Sequence, residues 1–487
     1  MAGSPAEAGG SHLMTESSRS LKEKCGLVGI YGHEKAAELA YLGLFSLQHR
    51  GEESAGIAVS DGKCLHTHKA LGLVGDIFKP EVLKQLPGRL AIGHVRYSTT
   101  GSTLLKNAQP ITVDYSRGQI AVAHNGNLVN AKRLRDELEA YGSIFASTVD
   151  SEIIVHLMAR PESKTREECL LKAVRQLEGA YCFVMLSEDE LIGIRDPHGF
   201  RPLCLGKLED AYVLASETCA LDLIHAQYIR DIEPGEVLII NRKGLKSLYP
   251  FRDVEVKKSF CIFEHVYFSR PDSHVFGESV AKVRERLGEI LAKEHPAQAD
   301  IVVPVPDSGN FAALGFSRVS GIPFSFGFTR NHYIGRTFIL PEQSTREFKV
   351  RIKLNPLRDM IEGKRVVIVD DSIVRGNTSK SRVKELRLAG AKEVHMRVSC
   401  PPHRFPCYYG IDFPKSSELI ANNYSFDEIK KFLDVDSLGY LSEDGLLAAV
   451  TAFPKEQYCT ACFSGRYSTE LGDDADKFYF ENQRAGS

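Results

Sequence analysis

Two α/β units in tandem are the fold this chain predicts, and three observations predict them. At 487 residues the chain is too long for one ordinary domain. From Cys25 to about residue 258, clusters of short apolar strands are separated by helical stretches, the texture of two sheets covered by helices. After residue 260 helix and strand alternate singly, the pattern of a parallel sheet with ligand sites at strand C-termini.

The elements follow in order. Residues 1–24 are rich in Ala, Gly, Ser and charge and are expected to form a disordered leader. Gly10-Ser11-His12 resembles a cloning remnant, with Met14 as the expected native start. Strands are expected at Gly26 to Tyr31, Arg89 to Tyr97, Gln119 to His124, Ala180 to Leu186 and Leu191 to Arg195. A 3.6-residue period links Leu128, Ala131, Leu134, Leu138 and Tyr141, and a second helix carries Ile153, Ile154, Leu157 and Met158. In the second unit Val283, Leu287, Ile290 and Leu291 mark an amphipathic helix. Asp300 to Val305, Val366 to Val369 and Glu393 to Ser399 are expected strands, with a helix over Lys380 to Ala389. The expected domains are 25–258 and 259–470, with a loose tail at 471–487.

Composition narrows the function classes. With 61 basic and 63 acidic residues the chain carries no nucleic-acid footprint. No run approaches a membrane span, and residues 1–24 lack an apolar signal core. Eleven cysteines without secretory context predict free thiols, catalysis or metal binding in a cytoplasmic protein.

R-V-V-I-V-D-D-S-I-V-R-G-N-T-S (Arg365 to Ser379) is the most informative stretch. A β-branched strand ends in Asp370 and Asp371, and a loop of small hydroxyl and glycine residues then opens a helix. Loop amides and the helix dipole can hold a phosphate. The carboxylates can hold ribose hydroxyls or a hydrated magnesium ion. Read alone, Ser372 could equally be only an N-cap. The whole run resembles the ribose-phosphate motif of type I phosphoribosyltransferases. That resemblance implies that Asp370 and Asp371 contact the ribose of phosphoribosyl pyrophosphate (PRPP). It also implies that Ser372, Arg375, Gly376, Asn377, Thr378 and Ser379 wrap its 5′-phosphate.

Cys25 stands immediately before G-L-V-G-I-Y-G. It could be a plain buried thiol. Cleavage after Lys24 would instead make it N-terminal, with its own α-amino group, pKa about 8, as the activating base. Four polar clusters follow: Q-H-R-G-E-E-S-A-G-I (Gln48 to Ile57), G-H-V-R-Y-S-T (Gly93 to Thr99), A-H-N-G-N-L (Ala123 to Leu128) and D-S-E (Asp150 to Glu152). Arg50 and Arg96 suit a carboxylate, Asn125 and the Gly126 amide an oxyanion, and Asp150 an ammonium group. Those three demands describe free glutamine. Singly, Arg50 could be a surface ion pair, Asn125-Gly126 a hairpin turn, and Asp150 an N-cap. Together, in order, they resemble the class II glutamine amidotransferase domain of the N-terminal-nucleophile superfamily. The resemblance implies an αββα sandwich, with Cys25 as nucleophile and Asn125 and Gly126 as the oxyanion hole. Arg50, Gly51, Arg96 and Asp150 would then hold glutamine, with Tyr97 near the ammonia exit.

A glutaminase unit joined to a PRPP cradle resembles the glutamine PRPP amidotransferase family from Cys25 to about Tyr467. The implied reaction moves ammonia from glutamine to C1 of PRPP, giving 5-phosphoribosylamine at the first committed step of purine synthesis. P-V-P-D-S-G (Pro304 to Gly309) could offer amides to a pyrophosphate, and the family places a magnesium contact at Ser308. N-H-Y-I-G-R-T-F-I (Asn331 to Ile339) resembles the family's flexible loop, although His332 and Arg330 depart from its arginine and lysine. C-T-A-C holds Cys459 and Cys462, while Cys261 and Cys407 lie in C-I-F-E-H-V-Y-F-S-R-P-D-S and F-P-C-Y-Y-G-I-D. By spacing alone, zinc, a redox pair and core thiols compete. The family branch with a leader carries a [4Fe–4S] cluster at positions matching Cys261, Cys407, Cys459 and Cys462, with Cys400 as a rival. Cys64, Cys169, Cys182, Cys204 and Cys219 are expected in the core. Purine nucleotides as feedback inhibitors and a homotetramer are further implications of the resemblance. Two other readings stand beside it: an idle PRPP or nucleotide sensor, and a glutaminase unit serving a different acceptor.

Overall fold

A computed structural model describes residues 25–97, 104–161, 163–330, 354–411 and 416–471. The leader, the flexible-loop stretch 331–339 and the tail beyond 471 lie outside the described residues.

The first half contains two antiparallel sheets. The seven-stranded sheet runs Gln227–Asp231, Cys204–Leu208, Ala211–Ala215, Gly26–Tyr31, Leu90–Arg96, Ser54–Ser60 and Leu65–Leu71. The six-stranded sheet runs Gly244–Leu248, Val237–Asn241, Leu191–Arg195, Gly179–Leu186, Gly118–Leu128 and Ile111–Tyr115. Leu27, Ala58, Ile92, Ala121, Ala123, Cys182 and Val184 fill the space between them. Helices Ala36–Ser46 and Thr218–Leu223 cover the outer face of one sheet. Helices Ala131–Ala140, Glu152–Ala159 and Arg166–Val174 cover the other. Both faces of each sheet are thus apolar, which explains strands such as Gly26–Tyr31 and Gly179–Leu186 with no polar alternation. The layers are αββα.

The second half holds a parallel four-stranded sheet in the order Ile301–Pro304, Arg365–Asp370, Glu393–Val398, Ser437–Tyr440. Helices Val280–Glu294, Asn310–Ser320 and Asn377–Leu388 accompany it. Its apolar core also takes in Val129, Ala180 and Phe200 of the first half, so the two halves share packed surface.

Three expectations need correction. Leu128 ends the strand Gly118–Leu128 instead of opening the next helix, because that strand runs four residues past His124. The helix expected from Lys380 starts at Asn377, since Gly376 at φ 78° already turns the chain into it. Cys64 is half-buried in a hairpin rather than in the core, while Cys169, Cys182, Cys204 and Cys219 are buried.

Candidate active sites

The first site is assembled where the two sheets end together. Gly26 pairs with Val95, which sets Cys25 beside Arg96 and Tyr97. The Cys25 thiol, 8% exposed, lies 3.7 Å from the Tyr97 carbonyl oxygen. The turn containing Arg50 and Gly51 closes on the same strand end, where the Glu53 amide donates to the Arg96 carbonyl at 3.1 Å. A His94 ring nitrogen stands 3.0 Å from the His124 carbonyl oxygen and joins this sheet to the strand bearing Asn125 and Gly126.

Asn125 is buried, and its Nδ2 donor has no hydrogen-bond partner. Buried donors are almost always paired, so an orphan amide is a place prepared for an acceptor. Gly126 is held at φ 148°, and a Cβ there would stand 2.0 Å from the Ala180 carbonyl oxygen, so only glycine fits. The pair is therefore no hairpin turn. Asp150 caps nothing either: its Oδ2 accepts from the Leu128 amide at 2.9 Å and its Oδ1 lies 3.5 Å from His124. Burial alone would raise this carboxyl, but His124 and these hydrogen bonds hold it below its ordinary range. Cys25 thus stands at the end of the strand bearing Arg96, Asp150 meets the strand bearing Asn125 and Gly126, and the His94–His124 contact ties the two strands together.

The Arg50 side chain takes a different course. Its Nε donates to Glu217, and one Nη reaches Glu264 at 2.5 Å. Arg201 binds the same Glu264 at 3.1 Å and the Tyr409 carbonyl at 2.8 Å. His49 stands 2.7 Å from Glu217. All four members of this Arg–Glu quartet are buried. Burial opposes the charge on Glu217, yet Arg50 and His49 keep its carboxyl well below the usual range. Glu264 and Arg201 join the first half to the segment at 407–410. Asn127 Nδ2 donates to the Tyr408 carbonyl at 2.9 Å, and Phe200 stacks on Tyr409 at 4.1 Å. Gly410, at φ 91°, is close enough that a Cβ would lie 3.1 Å from the Gly126 carbonyl carbon.

The second site sits at the C-terminal edge of the parallel sheet. Arg365–Asp370 delivers Asp370 and Asp371, both buried. The Asp371 amide donates to Asp370 Oδ1 at 2.9 Å, and the Ser372 hydroxyl donates to Asp371. Burial, and then the neighbouring Asp371, push the Asp370 carboxyl well above its ordinary value. Val305 N donates to the Val369 carbonyl at 2.8 Å, drawing the turn with Ser308 toward this acidic end. Gly376, Asn377, Thr378 and Ser379 form the start of the following helix. Arg375 donates to Glu418 at 2.8 Å from Nε. Arg330 pairs with Asp307 across the same edge. One π-helical turn, Glu264–Phe268, lies between the quartet and the acidic edge: Glu264 belongs to the quartet, and Tyr267 is near the charge of Asp371 and Asp370.

The four cysteines converge from three segments. Strands Phe260–Cys261 and Tyr458–Cys459 pair in parallel, with Cys261 opposite Cys459. Helix Ala461–Ser464 carries Cys462, and its carbonyl accepts from the Arg404 and Phe405 amides at 3.1 Å. The Tyr409 amide donates to the Cys407 sulfur at 3.3 Å. Burial raises Cys261 to about 12, with charge repulsion from Glu264 and Cys407 adding to it. Cys459 and Cys462 are raised by burial and by the other thiols. Cys400 points its sulfur at Pro401 and lies 3.9 Å from His403.

The chain is similar to known proteins over most of its length. A family described as glutamine amidotransferase domain matches residues 94–223. Amidophosphoribosyltransferase of Methanocaldococcus jannaschii is 50% identical over 464 residues, covering 92% of this chain and 98% of that protein. The chain belongs to the amidophosphoribosyltransferase family. The Bacillus subtilis amidophosphoribosyltransferase is 46% identical over 460 residues, covering 94% of this chain and 96% of that protein. A solved Bacillus subtilis glutamine PRPP amidotransferase complexed with ADP and GMP superposes with a TM-score of 0.87 at 46% identity. It covers 92% of this chain and 98% of that one. The family's reaction is therefore this chain's: glutamine-dependent transfer of ammonia to C1 of PRPP, giving 5-phosphoribosylamine, glutamate and pyrophosphate at the first step of purine synthesis. The fold is a class II glutamine amidotransferase sandwich followed by a phosphoribosyltransferase sheet. Among the described residues no helix is long and apolar enough to cross a membrane.

Several participants carried no sequence signal of their own. Glu217 and Arg201 are charged residues without a motif, and only folding brings them to Arg50 and Glu264. Glu264 and Tyr267 lie inside the stretch opened by Cys261 and belong to no motif of their own.

Proposed function

We propose that Cys25 is the nucleophile for glutamine and that the Asp370 edge receives PRPP. The carrying observation is the buried Asn125 Nδ2 without a partner, on the strand that the His94–His124 contact ties to the strand beside Cys25. Removal of residues 1–24 frees the Cys25 α-amino group, which takes the thiol proton. The thiolate attacks the side-chain amide carbon of glutamine, and the oxyanion accepts from Asn125 Nδ2 and the Gly126 amide. The C–N bond breaks, the amine returns the proton to the leaving nitrogen, and ammonia departs. Water then cleaves the thioester to glutamate. Arg96 pairs with the substrate carboxylate and Asp150 with its ammonium group, while Arg50 and Gly51 form the wall behind them.

Ammonia attacks C1 of PRPP and pyrophosphate leaves. Asp370 and Asp371 hold the ribose, and Ser372, Arg375, Gly376, Asn377, Thr378 and Ser379 hold the 5′-phosphate at the helix N-terminus. Two buried carboxyl groups side by side suit a cation, and Ser308, Asp370 and Asp371 would hold Mg2+, which would supply charge neutralisation for the departing pyrophosphate. Because ammonium is no nucleophile, a dry passage between the sites is required; the Glu264–Phe268 turn, which binds Arg50 through Glu264 and carries Tyr267 near Asp371 and Asp370, is its proposed wall.

Cys261, Cys407, Cys459 and Cys462 would hold a [4Fe–4S] cluster. Cys261 is raised by the charge of Cys407, Cys459 by Cys261 and Cys407, and Cys462 by the other three thiols, so the four lie near one another. Four thiols meeting with no histidine or carboxylate among them suit the all-thiolate ligand set of an iron–sulfur cluster. Four thiolates would fill the cluster's protein ligand positions, which makes it structural. The domain limits 25–258 and 259–470 and a homotetramer belong to this reading. So does purine nucleotide feedback, supported by the ADP and GMP in the Bacillus subtilis structure. The test is Cys25→Ala. Glutamine-dependent activity should fall at least about 10³-fold while activity with ammonium salt survives; joint loss would refute the two-site scheme.

A further inference from the structure

The hairpin joining Ser54–Ser60 to Leu65–Leu71 presents a cluster that the reaction does not use. It is D-G-K-C-L-H, Asp61 to His66. Three different donor atoms face one another across it. Asp61 Oδ2 is 3.0 Å from His66 Nε2 and 3.5 Å from Cys64 Sγ, and Cys64 Sγ is 3.5 Å from His66 Nε2. Each distance uses the same atom of each residue, so the three close a triangle. Among the described residues it is the one such group of three or more.

The edges of that triangle match a known coordination polyhedron. Zinc bonds of about 2.3 Å to sulfur and 2.0–2.1 Å to nitrogen and oxygen, at tetrahedral angles, give edges of about 3.3 Å and 3.5 Å. Only the oxygen–nitrogen edge must open slightly. The loop also holds the carboxylate in place: Asp61 Oδ1 accepts from the Lys63 and Cys64 amides at 2.8 and 2.9 Å, leaving Oδ2 for the metal. Side chains about one-third exposed on Asp61 and His66 leave the fourth position open to water. Thiolate, imidazole and carboxylate together favour zinc or cobalt over magnesium or calcium.

We propose that Asp61, Cys64 and His66 bind a zinc-class divalent cation, releasing the Cys64 proton and pinning this hairpin. The site goes beyond the glutamine and PRPP chemistry. Ser60 pairs with Leu65 at the hairpin, whereas Ser54 pairs with Arg96 at the nucleophile end. Six residue steps of strand put about 20 Å between them.

The full chain is alkylated with iodoacetamide, with and without Zn2+, and Cys64 labelling is followed by peptide mass spectrometry. Zn2+ should slow Cys64 labelling more than about tenfold, and His66→Gln should remove that protection although the thiol remains. Co2+ titration should show thiolate-to-metal absorption reduced by one equivalent in Cys64→Ser. Unchanged labelling in Zn2+, equal protection in His66→Gln, or an unaltered Co2+ equivalence in Cys64→Ser would each overturn the site. Cys25→Ala, which disables the proposed nucleophile, should leave Cys64 protection intact.

Discussion

Two buried charge clusters in this molecule are built on opposite plans. The quartet of Arg50, Arg201, Glu217 and Glu264 balances two positive groups against two negative ones. The pair Asp370 and Asp371 sets two carboxylates side by side, and Asp370 is raised by burial and by its neighbour. A balanced cluster needs nothing further and suits a joint between the halves. An unbalanced one holds repulsion that a cation or a donor-rich ligand relieves. The same contrast separates the Asn125 amide, left without a partner, from Asn127, whose Nδ2 is spent on the Tyr408 carbonyl.

Removing one member of the quartet should have the largest effect. Glu264→Ala removes the carboxylate partner of buried Arg201 and leaves Arg50 only Glu217, and should lower unfolding free energy by about 3–5 kcal/mol, measured by denaturant titration. A loss under about 1 kcal/mol would mean that the quartet is not a joint. Next comes Gly410→Ala, whose methyl group must push against the Gly126 backbone. Glutamine-dependent turnover should fall about 100-fold while ammonia-dependent turnover is spared. Equal losses in both assays would separate the 407–410 segment from the oxyanion site.

Asp370→Asn should reverse the sign seen with Glu264. Activity with either nitrogen source should drop, yet stability should stay within about 0.5 kcal/mol of the parent or rise. A large destabilisation would show the acidic pair to be structural. The smallest effect is on pH dependence. Glu217 is depressed in the folded state, so its contribution is present above its ordinary value of 4.5 and lost as pH falls through the folded value. Glu217→Gln, though less stable at neutral pH, should lose stability less steeply below about pH 4.5 than the parent.

Which parts were legible in the sequence follows from the same contrast. Ligand-facing groups gather in short local runs, because a strand end and its loop are contiguous in the chain. Asp370 to Ser379 and Asn125-Gly126 could therefore be read as motifs. The joint could not: Arg50 meets Glu217 and Glu264 across separations of 167 and 214 residues. Arg50 seemed apt for a ligand carboxylate because its chemistry suits one, and the fold supplies two from the protein itself. The strands that were expected, such as Gly26–Tyr31 and Leu191–Arg195, match nearly to the residue, whereas Ser54–Ser60, Ala211–Ala215 and Val237–Asn241 were not expected. The strand through Asn125 was underestimated because polar residues at an active strand end resemble a turn.

If the two sites act as one through this joint, ammonia passes between them without mixing with solvent. The direct test supplies the enzyme with 15N-amide glutamine in an excess of unlabelled ammonium and measures isotope in trapped 5-phosphoribosylamine. Internal passage predicts product carrying predominantly 15N, whereas product with the isotope ratio of the bulk ammonium would contradict it.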